Sequence, residues 1–441
     1  LRALQQKTPI YSIVFVSPRY WPNAEETQKV VSEIAKTLTD DLYKQNPEIV
    51  VKNITISSEN ELEAFLGQHP EGFGLFIPIS GAVQPWMIKA AENFDGIGIL
   101  AAYEPGFLEE KTAYRLLEAN AAPAVADVYS VIKRKGLPIV LSNELEEIVV
   151  LHKAIQAVMR MKKTSMILVG KTEDWVISSC RSFDRIRDKT GIECTNIELQ
   201  ELYKMYESVS NEEAQPVYEK WLKDCQEIVE PDSDDVIAAS RLAVAIQELV
   251  QRYNADGIAI ACFTLLKELG TTSCLALSML NDSENYIGAC EGDLDSAVTL
   301  LMMKALTNTP SWMANPMIEK GNVLKLSHCS APLIMAGKSC SYKLRSHHES
   351  GIGVSPQVSL PEGLAVTITR VGDDLSSISV NTGITVDTIY TPTCRTQLRI
   401  RLDSMTDFIE NLLGCHQIVT YGNHLKQVSH VAKLLGLKIL N

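Results

Sequence analysis

The chain reads as an α/β protein in which helix-covered parallel sheets occupy the larger part and a small antiparallel barrel or sandwich follows. Three observations predict this. From residue 10 to about residue 310, short apolar runs alternate with amphipathic stretches, the pattern of strand–helix units that build a parallel sheet. After Pro310 that alternation gives way to closely spaced strand runs separated by tight turn signals. Finally, 46% apolar and 22% charged residues over 441 positions is an ordinary globular balance on a chain too long for one core, so two or three domains are expected.

In the first third, residues 10–16 read as a buried strand and 25–42 as a helix with apolar side chains three and four apart. Runs at 49–56, 72–79 and 96–101 repeat the strand signal, with helices at 61–66, 84–91 and 109–120. Lys133-Arg134-Lys135-Gly136 is a polar break, followed by a strand at 137–141 and a long helix at 143–161. A second cycle opens with a strand at 165–170, then a helix near 175–188, a strand at 192–198 and a helical region over 212–253. Within it, Glu230-Pro231-Asp232-Ser233-Asp234-Asp235 reads as a turn and helix cap, because it lacks the regular alternation of oxygen ligands in a calcium loop. A strand at 255–263 and a helix at 265–279 lead to the run Tyr286-Ile287-Gly288-Ala289. Beyond 310, strands are expected at 322–329, 364–371, 375–381, 384–390 and 396–403. Their turns are Gly372-Asp373-Asp374 and Asn381-Thr382-Gly383. A helix at 406–413, a strand at 417–421 and a helix at 424–435 close the chain.

Charge and motif content exclude several functions. With 41 basic and 54 acidic residues the net charge is −13, which argues against nucleic acid as a partner, since backbone phosphates need a basic face. No stretch approaches the roughly 20 apolar residues of a membrane helix. The ten cysteines are scattered without a Cys-x-x-Cys pair, so neither a zinc knuckle nor a thioredoxin-type motif is present. Reduced thiols and a cytoplasmic setting are the default for such a chain. The segment beginning at Leu1 carries neither a secretion-signal core nor an initiator Met, which leaves open where the native chain starts. No dinucleotide fingerprint, Walker loop or nucleophile elbow follows any strand.

The residues that could carry chemistry are few. In Cys290-Glu291-Gly292-Asp293-Leu294-Asp295, two carboxylates stand where a buried strand ends and an apolar helix begins. Ligands gather at such strand ends, although acidic helix capping is the commoner use of these residues. Asn315 follows Glu291 by 24 positions, past one helix and the turn Asn308-Thr309-Pro310, close enough in chain terms to face the same cavity. His416 immediately precedes an apolar strand, where it is a hydrogen-bonding residue or a metal ligand. In Arg345-Ser346-His347-His348-Glu349-Ser350-Gly351, an extended chain would set His347 and Glu349 on one face. His328 ends a strand run, and Trp86 opens a helix as either a core anchor or a sugar-stacking face. His424 and His430 read as surface or packing residues.

The run from Cys290 to Asn315, with Cys415-His416-Gln417-Ile418-Val419-Thr420-Tyr421-Gly422 and the helix after it, resembles the L-fucose isomerase / L-arabinose isomerase family. Arg345 to Gly351 is similar to the His-x-Glu-Ser-Gly stretch of its shorter, divergent members. The resemblance implies two Rossmann-like parallel-sheet domains, over 1–160 and 161–312, and a C-terminal domain with an antiparallel β-barrel over 313–441. It implies a metal-assisted aldose–ketose isomerase acting through an enediol on a free aldose, with Mn²⁺ or another divalent metal. A homo-oligomer, possibly a hexamer, with the site near a subunit interface is implied as well. Glu291 then matches the family's metal-binding and acid–base glutamate, and His416 its metal-binding histidine. Asn315 stands where the family has an aspartate, as a substrate-orienting or weakly ligating residue. His328, His347 and Glu349 become candidates for the polar sugar wall, and Trp86 for a sugar face contributed across a subunit interface. Asn cannot accept a proton, and it removes a negative charge from a hard-cation site. Either Asp293, His347 or Glu349 compensates, or the chemistry has changed to a metal-independent isomerase or epimerase, or to non-catalytic sugar binding.

Overall fold

The computed structural model describes residues 3–100 and 121–441. The chain divides into two compact units, 6–159 and 1–5 with 160–441.

The 6–159 unit is built on one parallel sheet. Its strands are β1 (Ile10–Phe15), β2 (Val51–Ile56), β3 (Phe73–Pro78), β4 (Gly96–Leu100) and β5 (Ile139–Ser142), in the order β2-β1-β3-β4-β5. β3 and β4 are buried along their whole length, which is why they read as continuous apolar runs rather than alternating ones. The helix Ala24–Gln45 is capped by the Asn23 side chain on Glu25 N–H and Glu26 N–H and buries Val30, Val31, Ile34, Leu38 and Leu42. The expected helix at 109–120 lies outside the described residues. Trp86 sits near the start of the helix Gln84–Ala91, half-buried against the core formed by Phe76, Met87 and Phe94 among others.

The second unit holds a parallel sheet and a barrel. β6 (Ser165–Val169), β7 (Glu193–Ile197), β9 (Gly257–Ile260) and β10 (Ile287–Ala289) form a parallel sheet in the order β10-β9-β6-β7. β8 (Cys225–Ile228) belongs to a separate three-stranded sheet with two later strands. The barrel is closed by six antiparallel strands: β11 (Trp312–Ile318), β12 (Val323–His328), β17 (Ala365–Gly372), β18 (Ser377–Asp387), β19 (Thr396–Leu402) and β20 (Gln417–Tyr421). They pair in the ring β17-β20-β11-β12-β19-β18, with β18 returning to β17. The intervening β13 (Ile334–Met335), β14 (Lys338–Ser339), β15 (Tyr342–Arg345) and β16 (Ser355–Val358) lie outside the ring, and β21 (Lys438–Leu440) adds to β18 in parallel. Alternate residues fill the barrel: Trp312 and Ala314, Leu324 and Leu326, Val366 and Ile368, Leu398 and Ile400, and Val419 are all fully buried in one core. No helix of the described residues is long and apolar enough to cross a membrane.

Four expectations fail, three for a tertiary reason and one through a local helix cap. The helix placed at 175–188 begins only at Phe183, capped by Ser182, because residues 171–182 are drawn into a loop bonded to 291–295. The helical region over 212–253 is two helices, Asn211–Lys223 and Ser233–Arg252, separated by β8, which pairs in parallel with β15. The single helix at 265–279 is two, Cys262–Leu269 and Cys274–Asp282, the first ended by Gly270 in the left-handed region at φ 65°. Asn381-Thr382-Gly383 is no turn: β18 runs straight through it, paired on both sides with β17 and β19. The acidic run at 230–235 does cap a helix, with Asp232 and Asp235 forming a reciprocal capping box.

The barrel interior supplies the first test. Ile368→Ala leaves a cavity among rigid strands and is expected to lower unfolding stability by about 2–5 kcal/mol. Urea denaturation followed by tryptophan fluorescence should show an earlier midpoint, and an unchanged midpoint contradicts the packing described.

Candidate functional site

The site forms where β10 ends, where β12 ends and where β20 begins, all within the second unit. Glu291 lies just past β10, His328 is the last residue of β12, and His416 directly precedes β20. β11 pairs Ala314 with Gln417 and Asn315 with Ser327, so Asn315 is carried on the strand between the two histidine-bearing strands.

Backbone geometry aims Glu291. It adopts φ 58° and Gly292 φ 60°, two successive left-handed residues. For a non-glycine residue that conformation costs about 1–2 kcal/mol and persists where neighbours hold it. Here they do. Glu173 N–H donates to Glu291 O at 3.0 Å, Gly292 N–H donates to Ile260 O at 2.8 Å, and Thr172 Oγ1 donates to Gly292 O at 2.8 Å. Only glycine fits at 292, because a Cβ there would lie 2.7 Å from Lys171 O. The Glu291 N–H points at Cys262 Sγ, 3.3 Å away, and that thiol lies 2.7 Å from Cys290 Sγ.

The side chains form one connected network. Trp175 Nε1–H donates to Glu291 Oε2 at 2.7 Å, and Glu291 Oε1 is 3.2 Å from His416 Nε2. His416 Nδ1 is 2.9 Å from Asp293 Oδ2. Asp293 also caps the helix Leu294–Thr307 through Ser296 N–H, so its capping role and its place in the site are one position. Arg370 Nη1 and Nη2 donate to the two Asp293 oxygens at 2.8 and 3.2 Å, and Nη1 also reaches His416 O at 3.0 Å. Arg370 and Asp293 are both fully buried. His328 packs edge-on to His416 at 5.6 Å between ring centroids, with Nδ1 2.9 Å from Ser330 Oγ. Donor atoms of Glu291, His328 and His416 lie within 4.8 Å of one another, the arrangement that can hold a metal ion.

The electrostatics follow from this network. Burial alone would raise the Glu291 carboxyl, but His416, His328 and the Trp175 N–H hold it below its usual value. Burial opposes ionisation of Asp293 too, and the Arg370 charge with His416 outweighs it, leaving the carboxyl well down. His416 is the reverse case: burial disfavours its charge, and the bonds to Asp293, Cys415 and Glu291 raise it well above the ordinary imidazole value. Burial, with the neighbouring His416, brings His328 down to about 3, so it is neutral. The two carboxylates thus favour the charged form of the His416 ring, and burial favours the neutral form of His328. Asp295 is pushed up to about 7 by burial, against the pull of Arg370.

Glu291, Asn315, His328, His347 and Glu349 all line one narrow cavity of about 50 Å³, with Phe263 and five cysteines, Cys262, Cys274, Cys290, Cys329 and Cys394. The structure therefore brings together Glu291, His416, His328, Asn315, His347 and Glu349. His347 and Glu349 reach the cavity differently from expectation. Residues 348–350 form a turn, closed by Gly351 N–H on His347 O at 2.8 Å, so the two are not alternate residues of a strand. His347 is buried against Phe263 and lowered by that burial, whereas Glu349 is exposed. Asn315 is half-buried on the cavity wall. Trp86 belongs to the 6–159 unit, where its ring packs on the core. His424 bonds through Nε2 to Tyr421 O, a packing role.

Sequence reasoning missed Arg370, Trp175 and the thiol-lined wall. Arg370 had one visible signal, the single charged residue of its strand; Trp175 had none, because its loop was read as helix. Cys262, within the strand expected at 255–263, instead begins a helix beside the site, and none of the ten cysteines is in a disulfide. Comparison with protein-family models and with curated proteins returned no match.

Two measurements check this electrostatic picture. Asp295 has a folded value near 7 against 3.8 for an ordinary carboxyl, so the folded chain holds the extra proton between about pH 4 and pH 7. Its contribution is fully present at the acid end and is lost as pH rises through about 7. Asp295→Asn keeps an acceptor for Cys180 N–H and removes the charge, so its melting temperature should exceed the parent's at pH 8 and lose that advantage by pH 5. Gly414→Ala places a Cβ 2.5 Å from Arg370 Nε and 2.6 Å from Ser178 Oγ. Because Arg370 is buried and cannot swing away, a loss of about 1–3 kcal/mol is expected, read as a lower melting temperature.

Proposed function

We propose that the chain is a metal-assisted aldose–ketose isomerase acting through an enediol. The observation that carries this reading is the buried convergence of Glu291, His328 and His416 beside Asn315 at a strand end, with every other polar atom of the two histidines and the glutamate already held. Such a donor set fits a divalent cation: the Asp293–His416 pair is the carboxylate–histidine arrangement that orients metal-binding imidazoles. When bound, the cation supplies Lewis acidity toward O1 and O2 of the sugar.

The chain's own residues supply the rest. Glu291, aimed by its strained backbone and steadied by Trp175 Nε1–H, takes the C2 proton and returns it to C1, while the O2 proton passes to O1. Asn315 donates its amide N–H to a sugar oxygen and takes no proton. Trp175 is about half exposed beside Glu291 and edges Phe263 at 5.3 Å, which in turn edges His347, so these rings offer an aromatic wall to a sugar face. The cavity of about 50 Å³ has room for a cation and about one water, whose share is ~30 Å³, and not for a sugar. The sugar therefore approaches from the side of Trp175 and Glu349, both exposed. The Rossmann-like character of the two parallel sheets and a closed homo-oligomer belong to the same proposal, from the family resemblance, and a cytoplasmic setting joins it from the cysteine usage.

The neutral Asn315 favours a second reading, a sugar-binding protein of the same fold that has lost one base. One experiment separates the two. Metal-loaded protein is incubated in heavy water with pentoses and deoxyhexoses, and C1 and C2 are followed by NMR. Isomerase action gives ketose with deuterium at C1, and Glu291→Gln cuts the rate at least about 100-fold with an unchanged circular dichroism spectrum. Sugar-dependent quenching of tryptophan fluorescence that is lost in Trp175→Phe, without exchange, supports the second reading, and exchange that survives Glu291→Gln removes the mechanism.

A further inference from the structure

In the parallel sheet of the second unit, ordered β10-β9-β6-β7, the chain leaves β6 for β7 on one side and later returns to β9 on the other. A topological switch point therefore lies between β6 and β9. Crevices outside the carboxyl ends of strands at such a point are where open α/β sheets hold ligands. A crevice of about 580 Å³ lies there, lined by Gly170 past β6, Asn196 on β7, and Ala261 and Thr264 past β9. Gly170 turns the chain at φ 85°, where a Cβ would lie 3.0 Å from Ala261 Cβ and from Leu199 Cγ. The crevice shares no lining residue with the cavity of Glu291 and His328.

Its polar groups are those of a ligand wall. The Tyr203 hydroxyl, on the helix Leu199–Ser208, is buried and has no hydrogen-bond partner among the described residues. Such a group destabilises the fold until a partner from outside the chain bonds it. Burial and the nearby Glu268 charge raise it above the ordinary phenol value, so it stays a donor. Glu198 precedes the same helix without capping it, and it lines the crevice together with Gln200 and Glu268, all three exposed. The single cation of the described lining, Lys171, is held by Asp174 at 2.9 and 3.2 Å. With two carboxylates beside it, the space disfavours an anion. Hydroxyl groups both donate and accept, so a neutral polyol matches this mixture of donors and acceptors, and the Tyr203 ring with Leu199 offers it an apolar face.

We propose that this crevice is a second ligand site, for a small neutral polyhydroxy compound, a sugar or sugar alcohol, separate from the Glu291 centre. Its volume falls within the ~300–1,000 Å³ of small-molecule sites. The two places are joined by one residue. Thr264 N–H and Oγ1 donate to Glu173 Oε1 at 3.0 and 3.2 Å, and Glu173 N–H donates to Glu291 O at 3.0 Å. An occupant touching Thr264 thus sits one side chain away from the backbone that aims Glu291. Nothing in this assignment rests on the isomerase reading.

Chelator-treated full-length protein is titrated by calorimetry with D-ribose, D-galactose, xylitol and, separately, inorganic phosphate. At least one of the neutral probes should bind once per chain with a dissociation constant of about 0.1–10 mM and raise the melting temperature. Tyr203→Phe removes only the hydroxyl. It should weaken that binding about tenfold and leave the ligand-free melting temperature equal or higher, because an orphaned donor is lost. Glu268→Ala should weaken the same binding about tenfold, whereas Glu291→Gln should bind as the parent does. No binding of any neutral probe up to about 50 mM, or tighter binding of phosphate than of all of them, overturns the proposal. Binding that survives both Tyr203→Phe and Glu268→Ala, or that Glu291→Gln abolishes, overturns it too by placing the sugar elsewhere. Ketose formation is read in none of these titrations, so the isomerase reading stands or falls apart from them.

Discussion

The site depends on one buried ion pair. Arg370, on β17, reaches from the barrel to Asp293 at the start of the helix Leu294–Thr307, and neither side chain touches solvent. Withdrawing two charges from water is costly, and removing one partner of such a pair typically costs about 3–5 kcal/mol because the other charge is stranded. The pair is offset by an unusual density of bonds. Arg370 Nη1 alone donates to Asp293, Ser296 and His416 O, and the helix N-terminus adds its own N–H to Asp293. A charge held this firmly fixes three things together: the helix start, the barrel register and the orientation of the His416 ring.

From that anchor the rest of the centre follows outward. Asp293 is ionised because Arg370 is there, His416 is turned because Asp293 accepts at Nδ1, and its Nε2 is thereby presented to Glu291. Glu291 is held from the opposite side, by the loop 171–182, whose backbone and side chains bond to residues 291–295. The strained φ at 291 is affordable only under this double restraint, and it is what lifts the carboxylate off the axis of β10 into the cavity. A polar network so densely bonded around Asp293 and His416 is rigid, which suits a centre whose donor atoms must stay put whether or not a cation lies among them.

Legibility in the sequence divided along the same line. The strand–helix alternation over the first part of the chain and the switch after Pro310 follow from periods of burial that neighbouring residues set among themselves. Glu291 and His416 were legible because each stands at the edge of an apolar run, and Asn315 through its spacing from Glu291 and the family resemblance. Apart from the split at Gly270, a local cap, the errors fell where distant partners intervened. Residues 175–182 carry no local signal of leaving a helix, and they leave it because Glu173, Ser179 and Cys180 find partners near 291–295. Asn381-Thr382-Gly383 has turn chemistry, yet β17 and β19 pair along both its edges and hold it straight.

By itself, the sequence determined the succession of α/β units, the antiparallel strands that follow them, and the polar positions at strand ends. Local burial period and capping chemistry decide those, as in the Asp232 capping box and the Asp293 cap. Only the tertiary structure decided that six strands close into a barrel, because closure rests on the pairing of β17 with β18 rather than on any property of either strand. It alone brought His328, 37 positions from Glu291 and 88 from His416 by their numbers in the chain, into the same cluster. It alone gave Arg370 its partner. Coordination and charge pairing act through space at a few ångströms, and no pattern of neighbours along the chain records them.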